Sequence, residues 1–476
     1  MTETKSDSQK ASALTVAADL IAAPTEASFG NARDTIKLMR LASYATYQTL
    51  EGSVFPAIDA VLGMQETWSG SVLSLLRGEK KLKEFARDNV DRVKAAATFG
   101  RMVKKYGRQL YGSARFDGEV VLEQDAFLKL SYLPPKEGVP RQRTAVFHAG
   151  GGLPYGDRIF RFLPEANLFD RFLERGIPVY AVELRGDRKE VNYAGLTLEH
   201  LIDAFDAMSK IAFEHNDRRK MILEGYCGHG MQTLAFVAAK PREAEERLCA
   251  ATTFVSPYDG RECQTLAELP SLMPEAWTEL SFVMAKLIGR GYVPGDGMRM
   301  SLDLGLRTTF HKTPLAHVAA GWNQTAYAKV KKLEDLNKRQ RRDLTGAYWI
   351  SPESARRFAL PLDLVRFASR LFTEGIASNG DLPAVYRGRT LSLRTILEET
   401  TLPIFGFFGG RDAMIPDRTA YGVMPLLGKR YRHVVHPHAG HISYILSPKS
   451  WRPNQPFSLD PNPIDLMLEA AQQAGV

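Results

Sequence analysis

The sequence predicts an α/β fold, a mostly parallel sheet with a helical cap insertion and an N-terminal helical region, and three observations predict it. Between residues 144 and 255, apolar runs of strand length alternate with amphipathic helical stretches, as a parallel sheet requires. The run 221–225 then ends in Tyr-Cys-Gly-His-Gly and passes at once into a helical stretch, the strand–turn–helix arrangement that holds a nucleophile above a sheet. Finally, Asp412 follows a later apolar strand and His441 lies beyond it, so the order along the chain is nucleophile, acid, base. Together these are the marks of the α/β-hydrolase fold.

The elements follow in order. Residues 1–28 are small and polar and read as a flexible N-terminus. Residues 29–115 carry apolar positions at spacings of three and four, interrupted at 51–56, and read as a helical region that either packs on the main body or binds a partner or a hydrophobic particle surface. The first part of the core covers 116–256: a short β region at 119–132, strands at 144–148, 178–184, 221–225 and 248–255, and helices at 164–174, 198–213 and 230–239. From 257 to 381 the strand–helix alternation stops and the chain turns rich in Met, aromatic and basic residues, which predicts a mainly helical cap. The sheet resumes in the second part of the core, 382–450, with a strand at 404–408, a helix at 419–427 and a strand at 432–436; residues 451–476 form a proline-containing tail.

Cys227 is the candidate nucleophile, with Gly225, Gly228 and Gly230 as the small neighbours that let strand and helix approach each other. A thiol nucleophile needs a base, a group to orient that base, and donors aimed at the developing oxyanion. His441 and Asp412 fill the first two roles. For the third, the N–H of Gly228 sits at the start of a helix, and the glycine loop after the first strong strand offers Ala149 and Gly150. A cysteine in place of the usual serine favours acyl transfer, because the acyl thioester stays reactive toward alcohols and thiols. His229 stands two residues after the nucleophile, where glycine is usual; a helix-start histidine with a satisfied hydrogen bond is the plainer reading of it.

Composition narrows the function. A chain of 476 residues, 44% hydrophobic and 24% charged, is an ordinary globular one, and a net charge of +8 spread among acidic residues argues against nucleic acid while fitting an acidic ligand such as a coenzyme A ester. Cys227, Cys249 and Cys263 make no CxxC pair, which points to a reducing cytoplasm. No apolar run approaches about 18 residues, so no membrane span is expected. His433, His436 and His438 lack the carboxylate or cysteine spacing of a metal site, and the sequence calls for neither a metal nor another cofactor.

Four stretches resemble polyhydroxyalkanoate synthases: residues 159–187, the cysteine box LEGYCGHG, the acid strand and loop SLRTILEETTLPIFGFFGGRDAMIP, and the histidine loop HAGHISYILSPKSW. The resemblance spans about residues 144–451. It implies that Cys227 is the acylated residue, Asp412 the triad acid and His441 the base, that the substrate is a 3-hydroxyacyl-CoA, and that a polyester granule surface and a homo-oligomer or partner subunit are the partners to look for. Departures accompany it: His229 replaces a glycine of the box, Ala413 the histidine after the acid, Asp417 a tryptophan, Ser447 the asparagine before Pro448, and only Trp349 is left of a cap motif. Three readings are therefore carried forward: a synthase-like acyltransferase, a thioesterase or intracellular depolymerase of the same fold, and a catalytically degenerate scaffold that binds granules.

Overall fold

The computed structural model describes residues 32–476 except 152–156, 188, 288–290, 296–298, 300–301, 304–305 and 456. The flexible N-terminus expected for 1–28 lies outside the described residues. Eight strands form one sheet in the order β1 (Val120–Gln124), β2 (Leu128–Leu133), β4 (Val179–Leu184), β3 (Val146–His148), β5 (Met221–Tyr226), β6 (Leu248–Phe254), β11 (Ile404–Gly409) and β12 (Tyr431–His436). From β4 to β12 every neighbouring pair is parallel, while β2 runs antiparallel to both β1 and β4. This strand order, with one antiparallel strand near the edge and the cysteine turn after the fifth strand, is that of the α/β-hydrolase fold.

The sheet is covered on both faces, which is why its central strands are buried at every position rather than alternately. Along β5, Met221 and Leu223 enter one core and Ile222 and Tyr226 the other. The first core takes the helices Leu198–His215 and Gly228–Ala239; the second takes Phe169–Leu173 and the C-terminal helix Pro463–Gln473, through Ile464, Met467 and Ala471. Each fully buried Leu or Phe here contributes about 1.5–3 kcal/mol. Two expected helices differ. The stretch 164–174 is helical only over Phe169–Leu173, after a 3-10 turn at Asp157–Arg161, and 419–427 resolves into a 3-10 turn at Asp417–Ala420 and one helical turn at Met424–Leu427.

The segment between β6 and β11 is mainly helical, with Gln264–Leu272, Glu275–Leu287, Pro314–Trp322, Lys338–Trp349 and Leu362–Thr373 its longer helices. It also holds two small antiparallel pairs, β7 (Tyr292–Pro294) with β8 (Ala359–Pro361) and β9 (Asp381–Tyr386) with β10 (Arg389–Ser392). Leu382, Ala384 and Tyr386 of β9 join the first sheet core.

The N-terminal helices are α1 (Ala32–Thr49), α2 (Phe55–Leu76) and α3 (Leu82–Leu110). The interruption expected at 51–56 is not a break in the helix. Residues Leu50–Val54 form a π turn and Pro56 falls in the first turn of α2, where its missing N–H costs no bond. A side chain at Gly52 would lie 2.9 Å from the Arg307 backbone, so the widened turn sits where the inserted segment touches it. The C-terminal half of α3 packs into a third core, where Ala95, Phe99, Met102 and Val103 meet Tyr327, Leu344 and Tyr348. In α2, by contrast, Ser71 is the buried residue. Among the described residues no helix is long and apolar enough to cross a membrane.

Candidate active site

The cysteine turn is built by close approach. Cys227 has φ 52° and ψ −126°, a strained conformation for a residue with a side chain; its N–H donates to the Phe254 carbonyl at 2.8 Å and its own carbonyl accepts from Gly230 at 3.0 Å. An added Cβ at Gly225 would stand 2.6 Å from Thr233 Cγ2, and one at Gly230 only 1.8 Å from Ser256 Oγ, so both glycines are required by space. Gly228 is not: nothing lies within 4 Å of where its Cβ would be, and it borders the cavity instead. The helix it opens, Gly228–Ala239, begins one residue past the cysteine, two residues earlier than the sequence pattern suggests.

Asp412 and His441 converge on this turn. Asp412 Oδ1 accepts the N–H groups of Met414 (2.8 Å) and Ile415 (3.0 Å), and Oδ2 pairs with His441 Nδ1 at 2.8 Å. The carboxylate is thereby fixed, and His441 lines the same cavity as Cys227. Burial disfavours the imidazolium, but the charge and hydrogen bonds of Asp412 and Cys227 outweigh it, and the His441 pKa is raised to about 10. The other two thiols are poor nucleophiles: burial pushes Cys249 up to about 11, with its sulfur donating to the Met221 carbonyl, and raises Cys263 as well.

Tyr226, next to the cysteine, has a role that local sequence does not signal. Its hydroxyl donates to the His441 carbonyl, its ring meets the imidazole edge-on at 6.0 Å, and it lines the cavity, so β5 positions His441 as well as Cys227. The contact joins residues far apart in the chain, and an aromatic at that position reads simply as core.

The glycine loop after β3 departs in part from expectation. The Ala149 N–H continues the β3–β5 ladder by donating to Glu224 O at 2.8 Å, so Ala149 has no donor to offer an oxyanion. Gly150 and Gly228 spend their N–H groups on no partner among the described residues, and of these two Gly228 lines the cavity. Gly150 cannot carry a side chain, since its Cβ would meet Val182 O at 2.2 Å. The remainder of the loop tip, from Gly152, lies outside the described residues. Asp157 holds the loop: it is buried, accepts from the N–H groups of Gly151 (3.1 Å) and Leu184 (2.6 Å), and its burial pushes its pKa up to about 6. His229 is fully buried behind the elbow, with Nε2 3.8 Å from Asp157 Oδ1, and is absent from the cavity wall; burial drives its pKa well below that of a free imidazole. The glycine of the resembled box is thus replaced without crowding the site.

Above Cys227 and His441 lies a cavity of about 370 Å³. Cys227, Gly228 and His441 form its polar floor together with Tyr226 and Gln232. The inserted segment closes it with apolar side chains, among them Leu306, Trp349, Leu360, Leu364, Phe367 and Phe372.

No protein-family model matches this sequence, and no curated protein matches it significantly. Among solved structures, a soluble variant of a monoglyceride lipase from Saccharomyces cerevisiae is similar, at 10% identity and a TM-score of 0.43 over 74% of this chain and 93% of that one. A membrane phospholipase A follows at 16% and 0.36, over 86% and 98%, and mouse alpha/beta hydrolase domain-containing protein 10 at 11% and 0.36, over 75% and 97%. Likeness at this level says nothing of substrate, and the fold itself is read from the strand order and the elbow.

Proposed function

We propose that the protein is an acyltransferase that takes a 3-hydroxyacyl group from coenzyme A through a covalent acyl-cysteine. His441, already protonated at neutral pH, stands against the Cys227 thiolate, which attacks the thioester carbonyl; the Gly228 N–H donates to the oxyanion; collapse breaks the bond to the coenzyme A sulfur, which leaves with the proton from His441. The hydroxyl of a second acyl unit then gives its proton to His441 and attacks the acyl-cysteine, an ester forms, and the Cys227 thiolate is released beside the protonated His441. Asp412 holds the imidazole in the tautomer both halves need.

The observation that carries this reading is a cysteine elbow facing His441 beneath an almost wholly apolar cavity. An apolar lining offers water few partners beside the acyl thioester until an acceptor arrives. One observation favours the hydrolase alternative: Gln232 Oε1 is buried at the cavity wall with no partner among the described residues, a place for an ordered water. Incubation with 3-hydroxybutyryl-CoA separates the readings. Coenzyme A release with polymer supports the acyltransferase, release with free acid the thioesterase or depolymerase, and no release the granule-binding scaffold.

A further inference from the structure

A second cavity, of about 360 Å³, has a lining opposite in character to the first: Arg108, Asp187, Lys189, Glu353, Arg356 and Arg357, all charged. Two segments serve both cavities. Asp157–Arg161 gives Ile159 to the apolar one, while its Arg158 lies 3.7 Å from Asp187 of the charged one. Residues 349–360 give Trp349, Ile350 and Leu360 to the first and Glu353, Arg356 and Arg357 to the second. The two spaces are therefore adjacent, divided by short stretches of chain.

Among the described residues Arg108, Lys189, Arg356 and Arg357 face Asp187 and Glu353 here, and Asp187 is already taken. Arg357 holds Asp187 through Nε at 2.9 Å and through a terminal nitrogen, with Arg158 on the other oxygen. Arg108, in the last turn of α3, and Lys189 form no ion pair among the described residues. A concave site where Arg108 and Lys189 stand without a carboxylate partner among the described residues concentrates anions, and a guanidinium fork together with a lysine point charge matches the oxygens of a phosphate.

We propose that this cavity is a phosphate subsite, which takes the phosphorylated headgroup of an acyl donor whose chain enters the apolar cavity. The identity of that chain rests on the acyl-transfer reading; the phosphate site does not. A coenzyme A ester and a phospholipid share this chemistry, and binding separates them.

The test uses calorimetry on the full chain with two unreactive probes, desulfo-coenzyme A and lysophosphatidic acid, so that no turnover is needed. At least one should bind, and which one does identifies the source. Arg108→Glu with Lys189→Glu should weaken that binding about 100-fold, since each charge-assisted contact carries about tenfold. Neither residue lines the catalytic cavity, so alkylation of Cys227 by iodoacetamide should keep its rate. Glu353→Gln should tighten binding about threefold by removing a carboxylate that repels an anion at the cavity wall, a gain that loss of folding cannot mimic. Failure of both probes to bind, or binding indifferent to the double reversal and to Glu353→Gln, overturns the proposal. Loss of the acyl-cysteine reading would leave these binding results unchanged.

Discussion

The strands beneath the elbow and helix α2 are both largely apolar, yet they end in opposite places. β5, β6 and β11 are buried at every position. Helix α2 leaves Ile58, Val61, Leu62, Trp68, Leu73 and Leu76 exposed, and between Arg40 and Arg77 the chain has no Lys or Arg to solvate such a face. The difference teaches what an apolar pattern encodes. A strand in the middle of a parallel sheet has both faces covered by the chain that flanks it; a helix on the outside has a face whose cover the chain need not supply.

Truncation should give the largest effect and divide the N-terminal region itself. A chain starting near Asp117 loses the half of α3 that fills the third core, exposes Tyr327, Leu344 and Tyr348, and should aggregate or melt well below the full-length protein. A chain starting at Glu79 keeps that half and should remain folded and retain acyl-CoA turnover. If α2 is the attachment face for a polyester granule, this shorter truncation alone abolishes co-sedimentation with granules; unchanged co-sedimentation would move attachment elsewhere.

Glycine substitutions sharpen the contrast at single residues. Gly230→Ala drives a methyl group into Ser256 and should cost about 3 kcal/mol, read by chemical denaturation, with loss of activity from a displaced elbow. Gly63→Ala in α2 meets open space and should stabilise by about 0.5–1 kcal/mol through helix propensity. Equal effects at the two sites would deny that the regions differ in packing.

A smaller effect carries a pH signature. The His441 pKa is raised in the folded state, so its pairing with Asp412 contributes stability that is fully present below its ordinary value near 6.5 and is lost as pH rises through about 10. Asp412→Asn should therefore cost about 2 kcal/mol at pH 6, with the gap to the unmodified protein narrowing between pH 7 and 10. A gap that widens across that range would contradict the assigned pairing.

How much of this was legible in sequence depended on whether the determinant was local. Cys227 and Asp412 each follow a strand that a run of apolar residues marks, and His441 follows a shorter strand centred on Val434 and Val435, so their order could be read directly. Tyr226 holding the His441 carbonyl, and Asp157 stapling the glycine loop to the end of β4, are contacts between distant segments that leave no local trace. Ala149 misleads for the same reason: a loop glycine pattern does not reveal that one N–H is still spent on the sheet. The segment at 51–56 reads as a break because Gly and Pro usually end helices, whereas a π turn accommodates one and a first helical turn the other.

The central claim is that Cys227 alone carries the acyl group, and peptide mass spectrometry after brief incubation with 3-hydroxybutyryl-CoA tests it most directly. One 3-hydroxybutyryl group should appear on the peptide containing Cys227, persist in Cys249→Ala and Cys263→Ala, and vanish in Cys227→Ala. A label on Cys249 or Cys263, or one that survives in Cys227→Ala, would contradict the account.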